Sequence, residues 1–178
     1  MKRLLLALLI VPLFWGCNDI QPTEKNGIFI DNRLETELKS AFAGGAIANP
    51  SAGHSHRLHI YEEYFTEGPK WNEVKEAVLV TGFLHRGTDY PNLGDCISSL
   101  TVNGPSSIGT LVIPLNQGKY EGGSELVSSV TIASYSLGTL NDDGSTKENA
   151  RIDIRITLKD SRTIDIRYSG PTPYDGYY

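Results

Sequence analysis

Between Ala150 and Leu158 every second residue is a large aliphatic one, Ile152, Ile154, Ile156 and Leu158, and Arg151, Asp153, Arg155 and Thr157 fill the places between. After Lys159-Asp160-Ser161 the pattern resumes, with Ile164, Ile166 and Tyr168 alternating with Asp165 and Arg167. Successive side chains of a strand point to opposite faces, so each run has one dry face and one wet face. Two neighbouring runs of this kind imply an antiparallel hairpin whose dry face must be covered by a second layer.

Charge fixes the register of that hairpin. With Lys159-Asp160-Ser161 as a three-residue loop, Ile156 faces Ile164 and Ile154 faces Ile166 on the dry side. On the wet side Arg155 then faces Asp165, and Asp153 faces Arg167. Opposite charges across strands contribute about 0.2–1 kcal/mol per pair, whereas a shift of two residues would set Arg155 against Arg167.

Most of the remaining chain is a succession of short β-prone runs separated by Gly, Pro, Asn and Asp clusters, the spacing of a sandwich or barrel. Strands are expected near Arg57 to Phe65, Ala77 to His85, Ser98 to Val102, Gly109 to Pro114 and Val127 to Leu137, and Gly27-Ile28-Phe29-Ile30 is a short β-prone segment ahead of them. One helix is also expected. From Asn32 to Phe42, Leu34, Leu38 and Phe42 recur every fourth position among charged residues, Asp31 or Asn32 could cap the start, and Gly44-Gly45 could end it. The expected fold is therefore all-β, an antiparallel β-sandwich or barrel-like domain with one short N-terminal helix. Nothing alternates with the strands as a βαβ architecture requires.

The first seventeen residues have a different character. Lys2 and Arg3 precede an apolar run from Leu4 to Phe14, then Trp15, Gly16 and Cys17. A membrane-spanning helix needs about 20 apolar residues, and the run to Gly16 is shorter and contains Pro12. The segment reads as an export signal. In its Gly16-Cys17 junction it resembles bacterial lipoprotein precursors, with Phe14 and Trp15 in the two preceding places. That resemblance implies cleavage before Cys17 and acylation of Cys17. The chain then divides into residues 1–16 as lipoprotein signal peptide, 17–26 as a polar tether and 27–178 as a single β-rich domain. A plain secretory signal is the other reading of the same residues, and would leave Cys17 removed or as a thiol.

Composition bounds the partners. Sixteen Lys and Arg against 21 Asp and Glu give a net charge of −5. Without Lys2 and Arg3 the basic count falls to 14 and the balance to −7, which disfavours nucleic acid as a partner. With Cys17 acylated, Cys96 has no partner for a disulfide, and an unpaired thiol in an oxidising compartment survives best when buried, here beneath Leu93, Ile97 and Leu100. Asp95 beside it would raise its pKa and blunt its reactivity.

The remaining candidates for chemistry are few. His54 and His56 share one face of an extended segment and His59 the other, so His54 and His56 form a metal pair only if carboxylates such as Glu62 or Glu63 reach them. The simpler reading is a loop leading into a strand, with no metal and no cofactor. Asp89, Asp95, Glu62, Glu63 and Glu67 could supply a glycosidase pair only at a separation of about 5–9.5 Å, and no Gly-x-Ser-x-Gly elbow is present. No catalytic residue is assigned. Asp142-Asp143-Gly144-Ser145 lacks the alternating ligands of a calcium loop and reads as a polar turn. Tyr61, Tyr64, Phe65, Trp71 and Tyr90, with Tyr174, Tyr177 and Tyr178, could stack on a sugar or peptide, but Tyr61 and Phe65 on one strand face would serve the core.

The ordering of signal, tether and β-rich body, closed by Tyr168-Ser169-Gly170-Pro171, resembles small lipid-anchored β-domain proteins exported by Gram-negative bacteria. The resemblance implies an outer-membrane lipid anchor facing the periplasm or the cell surface. The leading reading of the chain is a noncatalytic surface or periplasmic binding or interaction module whose ligand the sequence does not identify, a glycan or a protein being the candidates. The alternative is an accessory to a carbohydrate-active or metal-assisted enzyme.

Overall fold

The computed structural model describes residues 25–49, 53–69, 74–85 and 92–174. Its last two strands, β9 (Ala150–Leu158) and β10 (Thr163–Gly170), pair in the register that charge and apolar pattern predicted: Ile156 opposite Ile164, Ile154 opposite Ile166, Arg155 opposite Asp165, and Asp153 opposite Arg167. The loop between them is the three-residue kind. Ser161 N–H donates to Leu158 O (3.0 Å), Leu158 N–H donates to Arg162 O (2.8 Å), and Ser161 has φ 73°, the left-handed third residue that this hairpin requires.

Eight further strands precede these two. They are β1 (Gly27–Ile30), β2 (Arg33–Glu37), β3 (Ser40–Asn49), β4 (Gly53–Tyr61), β5 (Val78–His85), β6 (Ile97–Asn103), β7 (Thr110–Pro114) and β8 (Val127–Ser136). One sheet runs β2-β1-β10-β9-β8 and the other β3-β4-β5-β6-β7, all antiparallel. The two sheets pack face to face as a β-sandwich. Every strand neighbours its successor except at two places, β2 to β3 and β7 to β8, where the chain passes from one sheet to the other. Pairing of β1 with β10 brings the two ends of the domain together in one sheet.

The expected helix over Asn32–Phe42 is replaced by β2 and the start of β3. A spacing of four is a multiple of the strand period as well as close to the helix period, so the same pattern also fits one face of a strand; Leu34 lies in β2 and Leu38 just beyond its end. The turn settles the competition. Asp31 and Asn32 have φ 49° and 67° and form the two-residue connection between Ile30 and Arg33, the positive-φ pair that twists a tight hairpin correctly. The residues expected to cap a helix instead turn a strand. Gly44-Gly45, expected to end the helix, lies inside β3, where a side chain on Gly45 would stand 2.8 Å from Ser55 O. The strand expected over Arg57–Phe65 begins earlier, at Gly53, and ends at Tyr61.

Alternate residues from both sheets fill the interior: Leu58, Ile60 and Val80 from one layer meet Ile28, Ile154 and Ile164 from the other, all at or below 1% exposure. On the outer face of the first sheet, Asp165 departs from the wet position the alternation gave it. It is 2% exposed, because Phe29 is its neighbour on β1 and Arg155 its neighbour on β9. Arg155 Nε and Nη2 donate to its two oxygens at 2.6 and 2.8 Å, and Arg167 Nη2 lies at 3.3 Å while its guanidinium stacks 5.0 Å above the Phe29 ring. These hydrogen bonds from Arg155 hold the Asp165 carboxyl below the usual range.

Candidate functional site

The site forms at the end of the sandwich where β4 begins. Strand alternation turns His56 inward, and the residue opposite it on β5 is Gly82. A Cβ on Gly82 would collide with His56 Cε1, so the missing side chain makes room for the imidazole. Tyr135, on β8 of the other sheet, places its hydroxyl 3.1 Å from His56 Nε2. Asn92 Oδ1 accepts from Gly94 N–H (3.0 Å) and starts a single 3-10 turn, Leu93–Cys96. That turn brings the Cys96 thiol within 3.9–4.0 Å of both ring nitrogens of His56.

A cysteine beside a histidine invites a nucleophilic reading, and the electrostatics oppose it. The Cys96 thiol donates to Leu93 O at 2.8 Å, and burial, with a smaller contribution from Asp95, pushes its pKa up to about 11. Burial, and secondarily the neighbouring His54, lowers His56 to about 4. Burial also raises Tyr135 well above the usual phenol value. Near neutral pH the three groups are therefore thiol, neutral imidazole and phenol, and no thiolate–imidazolium pair forms. The burial expected for Cys96 among apolar neighbours is present, at 5% exposure.

His56 carries a measurable consequence. Its pKa is lower in the folded chain than the ordinary 6.5, so the unfolded chain binds the extra proton first as pH falls. Stability is expected to decline by about 1 kcal/mol per pH unit between pH 6.5 and about 4. Urea unfolding across that range should show this slope for the wild type and its loss in His56→Gln.

Above these groups lies a cleft of about 490 Å³. Leu84 on β5, Leu93 on the 3-10 turn and Leu137 and Leu140 after β8 supply aliphatic walls, Gly44, Gly45 and Gly138 contribute bare backbone, and Tyr174 closes one side. His54 and His56 both face it, as their shared strand face predicted, His54 exposed and His56 buried beneath. Glu62 and Glu63 follow the opposite end of β4, about 25 Å along the strand from His54. They border a separate polar groove with Lys75, Glu76 and Asn103. Among the described residues no three His, Cys, Asp or Glu side chains gather as a metal site.

The other sequence candidates are dispersed. His59 points away from His56 and places Nδ1 2.8 Å from Glu76 Oε1. Tyr61 is buried between Phe42 and Phe65, with ring centroids 6.3 and 5.3 Å away, but it lies on the strand face opposite Leu58 and Ile60, outside the interior cluster between the sheets, and Phe65 lies beyond the strand. Tyr64 is exposed. Asp142–Ser145 is a polar turn: Gly144, at φ 81°, donates to Asn141 O, and Asp143 accepts from Ser145 N–H. Cys17, Trp71, Asp89, Tyr90, Tyr177 and Tyr178 lie outside the described residues. The leucines of the cleft and the meeting of His56, Cys96 and Tyr135 had no sequence signal beyond the small residues Gly44, Gly45 and Gly138. Comparison with protein-family models, curated proteins and solved structures found no match to this chain.

Proposed function

We propose that this chain is an exported lipoprotein, anchored to the outer membrane through acylated Cys17, whose β-sandwich serves as a noncatalytic binding module with the apolar cleft as its ligand site. The observation that carries the reading is the cleft itself: its walls are aliphatic, and the polar groups beneath it are held in unreactive protonation states. A concave, mostly apolar surface with few polar groups is the usual form of a ligand pocket. The accessory-enzyme alternative would call for converging carboxylates or a histidine–carboxylate set at the cleft, and its described lining residues include no carboxylate.

The anchor and the module are tested together. Intact mass of the mature protein is expected to equal residues 17–178 plus acyl groups on Cys17, with the increment abolished in Cys17→Ala. A mature chain starting elsewhere, or an unmodified Cys17, would refute the anchor. Binding to the cleft is expected to shift the NMR resonances of Leu84, Leu93 and Leu140 on addition of an apolar ligand. Shifts confined to the groove at Glu62 and Glu76 would place the function elsewhere.

A further inference from the structure

We infer that the apolar cleft takes an acyl chain of a lipid from the membrane to which the domain is tethered. The inference rests on the lipoprotein and binding-module reading and adds to it the chemical class and source of the ligand.

Two independent observations lead there. The first is the lining. Leu84, Leu93, Leu137 and Leu140 offer only methyl and methylene contacts, and no lysine, arginine or carboxylate faces the cleft among the described residues. A ligand segment buried there gains about fourfold in affinity for each methylene it removes from water, and an ionic segment would lose its hydration with no lysine, arginine or carboxylate of the described lining to pair with. The exposed His54 stands at the rim, where a polar headgroup would remain in water. The volume of about 490 Å³ lies within the range of about 300–1,000 Å³ usual for small-ligand pockets.

The second observation is where the tether joins the fold. Asn26 donates to Ser169 O (3.1 Å) and accepts from Ser169 N–H (2.8 Å). Across the sheet Ser169 pairs with Arg151, and Arg151 with Ser136. Asn26 thus lies in the same row as Ser136, and the next residues, Leu137 and Gly138, are cleft wall. On β10 the chain runs from Ser169 to Tyr174, also cleft wall. The tether and the cleft therefore share one end of the sandwich. From Cys17 to Asn26 is ten residues, which reach at most about 35 Å when fully extended. An anchored Cys17 keeps the cleft end of the domain within that distance of the bilayer.

The test uses the mature lipoprotein in nanodiscs of phosphatidylethanolamine and phosphatidylglycerol. The photoreactive p-benzoylphenylalanine is placed in turn at Leu140, at Tyr174 and, as a control, at Val112, which is exposed on β7. Two cleft positions guard against one variant that fails to fold. Irradiation is expected to add the mass of a nanodisc lipid at Leu140 and Tyr174 with at least tenfold the yield at Val112. Lipid adducts at cleft positions no more frequent than at Val112 would overturn the inference, as would adducts to another protein. A cross-link to the acyl chains of Cys17 itself, recognised after proteolysis as a fragment joining the lipidated Cys17 peptide to the labelled position, would overturn the external ligand. Lipidation is read from the same spectra, so a failed anchor is distinguished from a failed ligand.

Discussion

Gly82→Ala is expected to destabilise the domain by about 3 kcal/mol and to lower its melting temperature by about 10 °C. The substitution adds one methyl group, usually a small change on a strand. Here the new Cβ would overlap His56 Cε1 and stand 2.8 Å from Cys96 O. The imidazole is held by its contact with Tyr135, and the carbonyl belongs to the backbone that ends the 3-10 turn. Gly82 also sits where the β5–β6 register shifts by one residue, so the chain is already bent to bring Cys96 close. Overpacking of a filled interior typically costs about 1–3 kcal/mol, and a backbone obstacle puts this case at the upper end. A double-mutant cycle with His56→Ala isolates the cause, since the two changes should couple by at least about 1 kcal/mol if the ring is the main obstacle. Thermal unfolding of the four proteins by circular dichroism is sufficient. Additive effects, or a Gly82→Ala cost near zero, would show that the imidazole and Gly82 do not share a packing constraint.

The same residues show how far the sequence could be read. The β9–β10 hairpin was legible to the residue because two independent patterns, apolar period and charge, select one register. The segment from Asn32 to Phe42 was misread because Leu34, Leu38 and Phe42 satisfy helix and strand periods alike, and the deciding information lay in the turn-forming Asp31 and Asn32. The two-state pattern of buried and exposed positions also failed at Asp165, whose neighbours Phe29 and Arg155 cover it from adjacent strands. The burial of Cys96 followed from its local apolar company. Its meeting with His56 and Tyr135 did not, because those residues lie 40 and 79 positions apart in pairs and only the folded sheets bring them together. The cleft is legible least of all: its walls are contributed by six separate segments, and leucines in loops carry no periodicity by which to recognise a common surface.

Asp165→Ala is expected to cost about 3 kcal/mol. Its carboxylate is buried, while the side chains of its partners Arg155 and Arg167 are 52% and 32% exposed. Removing one member of a buried pair typically costs about 3–5 kcal/mol, and solvent around the arginines places this case at the low end, because each guanidinium can recover water when its acceptor disappears. Asp165→Asn separates charge from shape, since the amide keeps the volume and one acceptor but loses the bidentate ion pair. The two should also differ from the wild type in acid. The folded carboxyl has a lowered pKa, so its stabilisation is complete above the unfolded value of about 3.9 and disappears as pH falls through the folded value. The Asn variant should therefore begin less stable at neutral pH and lose less than the wild type below about pH 4. Between pH 6.5 and 4 both proteins should follow the same slope, because His56 governs that range. Urea titrations at pH 7, 5, 4 and 3 resolve the two windows. Parallel curves for wild type and Asp165→Asn below pH 4 would mean that the ion pair contributes through packing alone, and in that case Asp165→Asn should match the wild type at neutral pH as well.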